Sequence, residues 1–147
     1  MEVLLTAVML WLSANFDLPA VHDHPHVEFA PPSTIAALRH NGQNGSQPHS
    51  QVEAGQRDVV AVYVDATSTI YLPKGWRGET AAELSVLVHE MVHHLQSRGQ
   101  LKFECPRARE KLAYEAQERW LNLFGRDLLR DFEIDPFTRL VLTSCYF

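Results

Sequence analysis

Two cysteines, Cys105 and Cys145, are all that this sequence of 147 residues offers. They stand 40 positions apart and lack the C-x-x-C spacing of a zinc ribbon or a redox pair, so thiol-based chemistry has no framework here. They form either one disulfide, which implies an oxidising, periplasmic or secreted setting, or two buried thiols. Basic charge is also scarce. Against 18 Asp and Glu there are 13 Lys and Arg, a formal net charge of −5, which argues against nucleic acid or an anionic membrane as a partner. The longest apolar run, Val3 to Leu12, is about ten residues where a membrane-spanning helix needs ~20, so no transmembrane segment is expected. G-x-S-x-G, P-loop and dinucleotide fingerprints are all missing, which removes the serine-hydrolase and nucleotide-binding readings.

What is present suits one globular domain over residues 1–147, with 46% hydrophobic and 21% charged residues. The opening MEVLLTAVMLWLSA has an apolar core of signal-peptide length, but its first charge is Glu2 and Leu12-Ser13-Ala14 is an indifferent cleavage site. It reads as a packed first helix, with a signal peptide as the alternative. His26 to Ala30 alternates polar with apolar like a short strand, closed by Pro31-Pro32. Ser33 or Thr34 then caps a short helix through Ile35 and Leu38, and residues 41–57, with only Val52 and Ala54 apolar, read as a mobile loop. Val59 to Val64, the turn-like Asp65-Ala66-Thr67-Ser68 and Thr69 to Leu72 make a β-hairpin. A long helix is expected from Pro106 to Phe132, and Asp135-Pro136 starts a last short element whose type stays open.

Between the hairpin and that long helix, Thr80 and Glu83 form a capping box, and Gly99 is a natural helix stop. Leu84, Val86, Leu87, Val88, Met91, Val92 and Leu95 cover nearly every side of the intervening helix, the pattern of one that runs through the middle of a domain. Yet His89, Glu90, His93 and His94 interrupt it. Buried ionisable groups are costly unless compensated, and a metal ion is a compensator that prefers these side chains. His89-Glu90-Met91-Val92-His93 is an H-E-x-x-H motif, expected by chance only about 0.03 times in a chain of this composition. Residues four apart point the same way about one turn apart, so both imidazoles can share one ion while Glu90 reaches a water beside it. Zinc suits two imidazoles and a carboxylate with one open position. The bland alternative makes the histidines satisfied core residues and Glu90 an exposed carboxylate, and gives no reason for the polar trio.

The long helix supplies the third ligand. With Leu112 at 0° and about 100° per residue, Ala113, Ala116, Trp120, Leu123 and Phe124 mark the buried side. Glu110 falls at its border near Gln117, whereas Glu115 and Glu118 turn toward solvent, so Glu110 is the preferred ligand and Glu115 the next.

These residues carry a resemblance. H-E-x-x-H followed by a helical glutamate is similar to the gluzincin metallopeptidases. The stretch Pro106-Arg107-Ala108-Arg109-Glu110-Lys111-Leu112-Ala113-Tyr114 resembles the Ser-Arg-x-x-Glu-x-x-Ala-Asp segment of peptidases related to the CAAX prenyl protease and the heat-shock membrane protease. The resemblance covers roughly residues 80–125 and implies that Glu110 is the third zinc ligand in a minimal zincin of bacterial type. Tyr114 stands where those peptidases have an aspartate that orients a histidine ligand.

Gln96, Tyr114 and Gln117 are candidates to hydrogen-bond a ligand, and His94, pointing about 100° from His93, is expected to be no ligand. Thr69 to Leu72 is expected at a sheet edge, able to hold an extended peptide. His22-Asp23-His24-Pro25-His26 could bind a transition metal but reads more simply as a solvated loop. His22, His24, His26, Tyr63, Tyr71 and Tyr114 are the open candidates for stabilising an oxyanion. The reading is an α+β domain, a small sheet packed on the motif helix plus a second long helix. Its function is Zn2+-dependent hydrolysis, with His89, His93 and Glu110 as ligands, Glu90 as general base and a peptide or protein as substrate. The rivals are a zinc-stabilised binding module with a closed metal site, and an interaction protein in which the motif is vestigial.

Overall fold

The structure, a computed structural model, describes residues 1–19, 21, 23–42 and 61–146. Its elements run α1 (Glu2–Asn15), β1 (His26–Ala30), α2 (Pro32–Gly42), β2 (Val62–Val64), a 3-10 turn (Asp65–Thr67), β3 (Thr69–Pro73), α3 (Ala81–Arg98), α4 (Pro106–Asn122), α5 (Leu128–Phe132) and α6 (Pro136–Thr143). The fold is α+β. The loop expected over 41–57 lies outside the described residues except for Asn41 and Gly42, which close α2. Val59 and Val60, expected to start the hairpin's first strand, lie outside them too.

The hairpin forms as the β-branched run and its polar turn demand: β2 pairs antiparallel with β3, Tyr63 opposite Ile70. β1 then adds parallel to the other side of β3, Val27 opposite Ile70, giving the order β1-β3-β2. Thr69 to Leu72 is therefore the central strand and not an edge. Buried Thr69, Ile70, Leu72 and Pro73 break the period-two alternation that a one-sided edge strand would show.

α3 is where sequence and packing agree most closely. The Thr80 hydroxyl accepts from the Glu83 amide at 3.0 Å, and the Glu83 carboxylate reaches back to the Glu79 amide at 3.0 Å. The Trp76 indole donates to the Glu83 carbonyl at 2.9 Å, and its ring lies so close over Gly78 that a Cβ there would come within 2.8 Å. From Ser85 to Gln96 every residue is buried. At the far end Gly99 keeps a right-handed φ of −81°, and it is Gln100, at φ 57°, that turns left-handed. Glycine is needed at 99 because the Pro19 ring packs against its α-carbon.

The helix expected over Pro106 to Phe132 is two helices. Gly125, at φ 72°, breaks it, and Asp127 starts α5 by accepting from the Arg130 amide at 2.8 Å. Asp135 caps α6 in the same way, through the Thr138 amide at 2.7 Å. α1 buries Leu5, Val8, Met9 and Leu12, as expected for a packed helix. One apolar cluster joins these to the sheet, α3, α4 and the α5–α6 segment. Cys105 and Cys145 form a disulfide, which fastens the tail after α6 to the residue just before α4. Among the described residues no helix is long and apolar enough to cross a membrane.

Candidate metal centre

α3 and α4 lie side by side, and their facing sides carry the polar residues that α3's apolar surroundings would otherwise forbid. His89 Nε2 stands 2.8 Å from Glu110 Oε1, and His93 Nε2 stands 3.0 Å from Glu110 Oε2. One ligand atom from each of the three residues lies within 4.8 Å of the others, and this is the one such His, Cys, Asp and Glu group among the described residues.

The hydrogen bonds behind the histidines decide their tautomers. Gln96 Nε2 donates to the Arg109 carbonyl at 3.1 Å, so its Oε1 must be the atom 2.9 Å from His93 Nδ1, and that nitrogen donates. Ser85 spends its hydroxyl proton on the Ala82 carbonyl at 2.7 Å, which leaves Oγ to accept from Gln117 Nε2 at 3.2 Å. Gln117 Oε1 then accepts from His89 Nδ1 at 2.9 Å. Both neutral imidazoles thus present Nε2 lone pairs to a carboxylate. Lone pairs facing one another at 2.8 and 3.0 Å require a positive charge between them, either protons or a metal ion.

Without an ion, protons fill that role. Burial opposes charge on His93, but the Glu110 carboxylate outweighs it and raises the imidazole from 6.5 to about 9. Burial likewise opposes the charge on Glu110, and the two histidines overcome it, holding the carboxyl well below its usual range. Two imidazoles and one carboxylate on a shared point, with their outer hydrogen bonds already made, fit a divalent borderline metal such as zinc.

The centre opens into a cleft of about 450 Å³, lined by β2, by α2 and α4 residues and by Glu90, His89 and His93. Glu90 faces the same space as the triad. β2, not β3, is the strand beside the site, and among the described residues it is an edge of the sheet. Its end is tied across to α4 by Arg109, which grips the Asp65 carboxylate with both terminal nitrogens at 2.9 and 3.1 Å.

A family model described as a domain of unknown function (DUF6647) matches residues 1–143. The chain belongs to the DUF6647 family. Comparison with curated proteins and with solved structures finds no match.

In this DUF6647 chain the other sequence-predicted residues are placed as follows. Glu115 is exposed, and Glu118 accepts from the Leu128 amide at 2.7 Å, which joins α4 to α5 and keeps it away from the triad. Tyr114 lies edge-on to His89, with ring centroids 4.6 Å apart, and lines the cleft. His94, fully buried, donates from Nε2 to the Asp23 carbonyl at 2.7 Å, so its Nδ1 accepts from the Tyr63 hydroxyl at 3.0 Å. Tyr63's proton is therefore committed away from the triad. His24 bonds Thr6 at 2.9 Å and approaches Glu2 at 3.5 Å, Asp23 pairs with Arg98, His26 is exposed, and His22 lies outside the described residues. The described part of that histidine cluster assembles no metal site. Sequence reasoning missed the Asp65 to Arg109 clamp and Arg39 in the cleft wall, because long-range charge pairing leaves no local pattern.

Proposed function

We propose that the triad holds a zinc ion and that the protein is a zinc-dependent hydrolase, a metallopeptidase of minimal gluzincin type acting on peptide or protein substrates. One observation carries this reading: both ligand histidines have their Nδ1 protons committed to glutamines, so both Nε2 lone pairs meet Glu110 at the wall of an open cleft. A zinc ion there supplies a Lewis acid that lowers the pKa of a water to ~7. Glu90, in the same wall, takes the proton from the attacking water and returns it to the leaving amine. The edge strand β2 holds an extended substrate backbone, and Tyr114, in the cleft wall beside His89, meets the developing oxyanion. The cleft supports this over a closed structural site, whose fourth position a side chain would fill. The disulfide suits a periplasmic or secreted location.

The test is metal analysis of tag-free protein alongside turnover. Wild type and Glu115→Ala are expected to carry about one zinc, and Glu110→Ala almost none. Glu90→Gln keeps its zinc and loses turnover about 10²- to 10⁴-fold. Zinc without turnover in the wild type points to a structural site, and a folded wild type without zinc ends the metal reading.

A further inference from the structure

Resting on the metal reading of the same triad, the place of Glu110 along α4 bears on what controls the site. Glu110 is the fifth residue of α4, so it stands near a helix end, where opening costs least. Thr80, Asp127 and Asp135 each close the start of their own helix with a side-chain oxygen. α4 is preceded instead by Cys105, whose side chain makes no capping hydrogen bond, and it begins at Pro106, which has no amide hydrogen to hold.

The C-terminal segment takes the place of a cap. The Cys105–Cys145 disulfide joins the residue before α4 to the tail after α6. On either side of it the Tyr146 hydroxyl donates to Glu104 Oε1 at 2.6 Å, and Arg107 donates from Nη1 to the Val141 carbonyl at 3.2 Å. Such hydrogen bonds are weak alone, and the covalent bond keeps their partners at high local concentration. Opening it leaves α6 seated by the buried Leu142 but frees the tail beyond and loosens the start of α4. His89 and His93 stay where they are, on a helix buried from Ser85 to Gln96. Ordering Glu110 then becomes a cost of metal binding, and a ligand that is not preorganised weakens affinity. Both cysteines are only half-buried, within reach of a reagent in solution.

We propose that thiol–disulfide exchange at Cys105 and Cys145 sets the metal affinity of the triad, by fixing or releasing the start of α4 that carries Glu110. The co-reactant that closes the bridge is a disulfide-bearing oxidant. The thiolate of one cysteine attacks a sulfur of the oxidant and expels the other sulfur as a thiolate. The second cysteine then attacks the mixed disulfide at the protein's own sulfur and expels the second thiolate. The protein gives up two electrons and two protons, and the oxidant leaves as two thiols. A dithiol reductant runs the same steps backwards. The centre is thus complete in an oxidising compartment and loose in a reducing one.

The experiment measures zinc affinity by chelator competition in three forms of the chain. These are oxidised wild type, wild type reduced and alkylated, and a Cys105→Ala, Cys145→Ala pair that has no thiol to bind zinc itself. Hydrogen exchange of amides 107–112 and 86–96 is followed in the same three forms without metal. The oxidised protein is expected to bind zinc about tenfold tighter than the other two. Opening the bridge should speed exchange about tenfold over 107–112 while 86–96 keep their protection. Cys105→Ser with Cys145→Ala also opens the bridge but gives α4 a capping hydroxyl, so part of the lost affinity should return. No such recovery, or exchange that rises alike in both segments, overturns the proposal. Loss of helical circular dichroism on reduction overturns it too, because the bridge would then staple the whole fold. Zinc bound equally with the bridge open and closed removes this proposal alone and leaves the metal reading standing. Oxidised protein that binds no zinc ends both.

Discussion

α3 and α4 build one site from opposite materials. α3 is apolar on all sides and buried from Ser85 to Gln96, so each ionisable group on it is out of place and reads as a signal. α4 has one buried stripe, through Ala113, Tyr114, Ala116, Gln117 and Leu121, and otherwise carries charges, among which its single member of the triad, Glu110, is inconspicuous. The histidines sit on a helix that cannot move without opening the core. The carboxylate arrives on a helix held mainly by one face, by the disulfide at its start and by the glutamine bridges. A site shared in this way has its rigidity on one side and its adjustability on the other.

If that contrast holds, equivalent truncations should differ sharply between the two helices. Leu87→Ala, at a fully buried position of α3, is expected to cost about 2–5 kcal/mol in chemical denaturation. Leu123→Ala, just beyond α4 and 61% exposed, should fall within about 0.5 kcal/mol of wild type. Similar losses at both positions would mean that the C-terminal end of α4 is covered in solution and that the contrast is false.

The same asymmetry explains what could be read in the sequence. H-E-x-x-H, the capping box and the interrupted apolar helix are local patterns, and α3 follows them closely. Glu110 emerged because a wheel drawn on α4's apolar residues puts it at the border of the buried stripe, which depends on one helix being regular over a few turns. The helix itself, expected to run on to Phe132, overran Gly125, whose left-handed turn is a single-residue event that periodicity averages away. Strand order was beyond reach for a different reason. Whether Thr69 to Leu72 is an edge or a centre depends on β1, 43 residues before it in register, joining the far side of the hairpin. The Asp65 to Arg109 clamp is likewise set by tertiary approach.

Protons sharpen the comparison next, because they occupy the junction of the two helices when metal does not. In metal-free protein His93 has a folded pKa of about 9 against 6.5, so its contribution to stability is complete below pH 6.5 and is lost as pH rises through about 9. Glu110 has a folded pKa well below 4.5, so its contribution is present above 4.5 and lost as pH falls through the folded value. The metal-free protein should therefore be most stable from about 4.5 to 6.5, where both are charged, and weaken toward alkaline pH. Zinc must displace the His93 proton, so its affinity should rise roughly tenfold per pH unit up to about 9, the opposite trend. Urea melts and zinc titrations at several pH values measure the two trends, and a metal-free stability that is flat between pH 6.5 and 9 would separate His93 from Glu110.

The smallest expected effect tests whether α4 shapes the centre or only covers it. Gln96 on α3 and Gln117 on α4 do the same work, each holding one triad histidine's Nδ1 proton and anchoring its own amide on the opposite helix, at the Arg109 carbonyl and the Ser85 hydroxyl. Removing either frees an imidazole to rotate or to change tautomer, and loss of such a partner typically weakens metal binding about 10- to 100-fold. Gln96→Ala and Gln117→Ala should therefore cost similar factors in zinc affinity, read by competition with a chromogenic chelator. Gln117→Glu should recover affinity because a carboxylate still accepts the His89 proton and adds negative charge. That charge also makes the imidazole a stronger donor and the bound zinc a weaker acid, so the alkaline limb of any turnover profile should move up as the affinity returns. A cost at Gln96 with none at Gln117 would place the whole centre on α3 and reduce α4 to the bearer of one carboxylate.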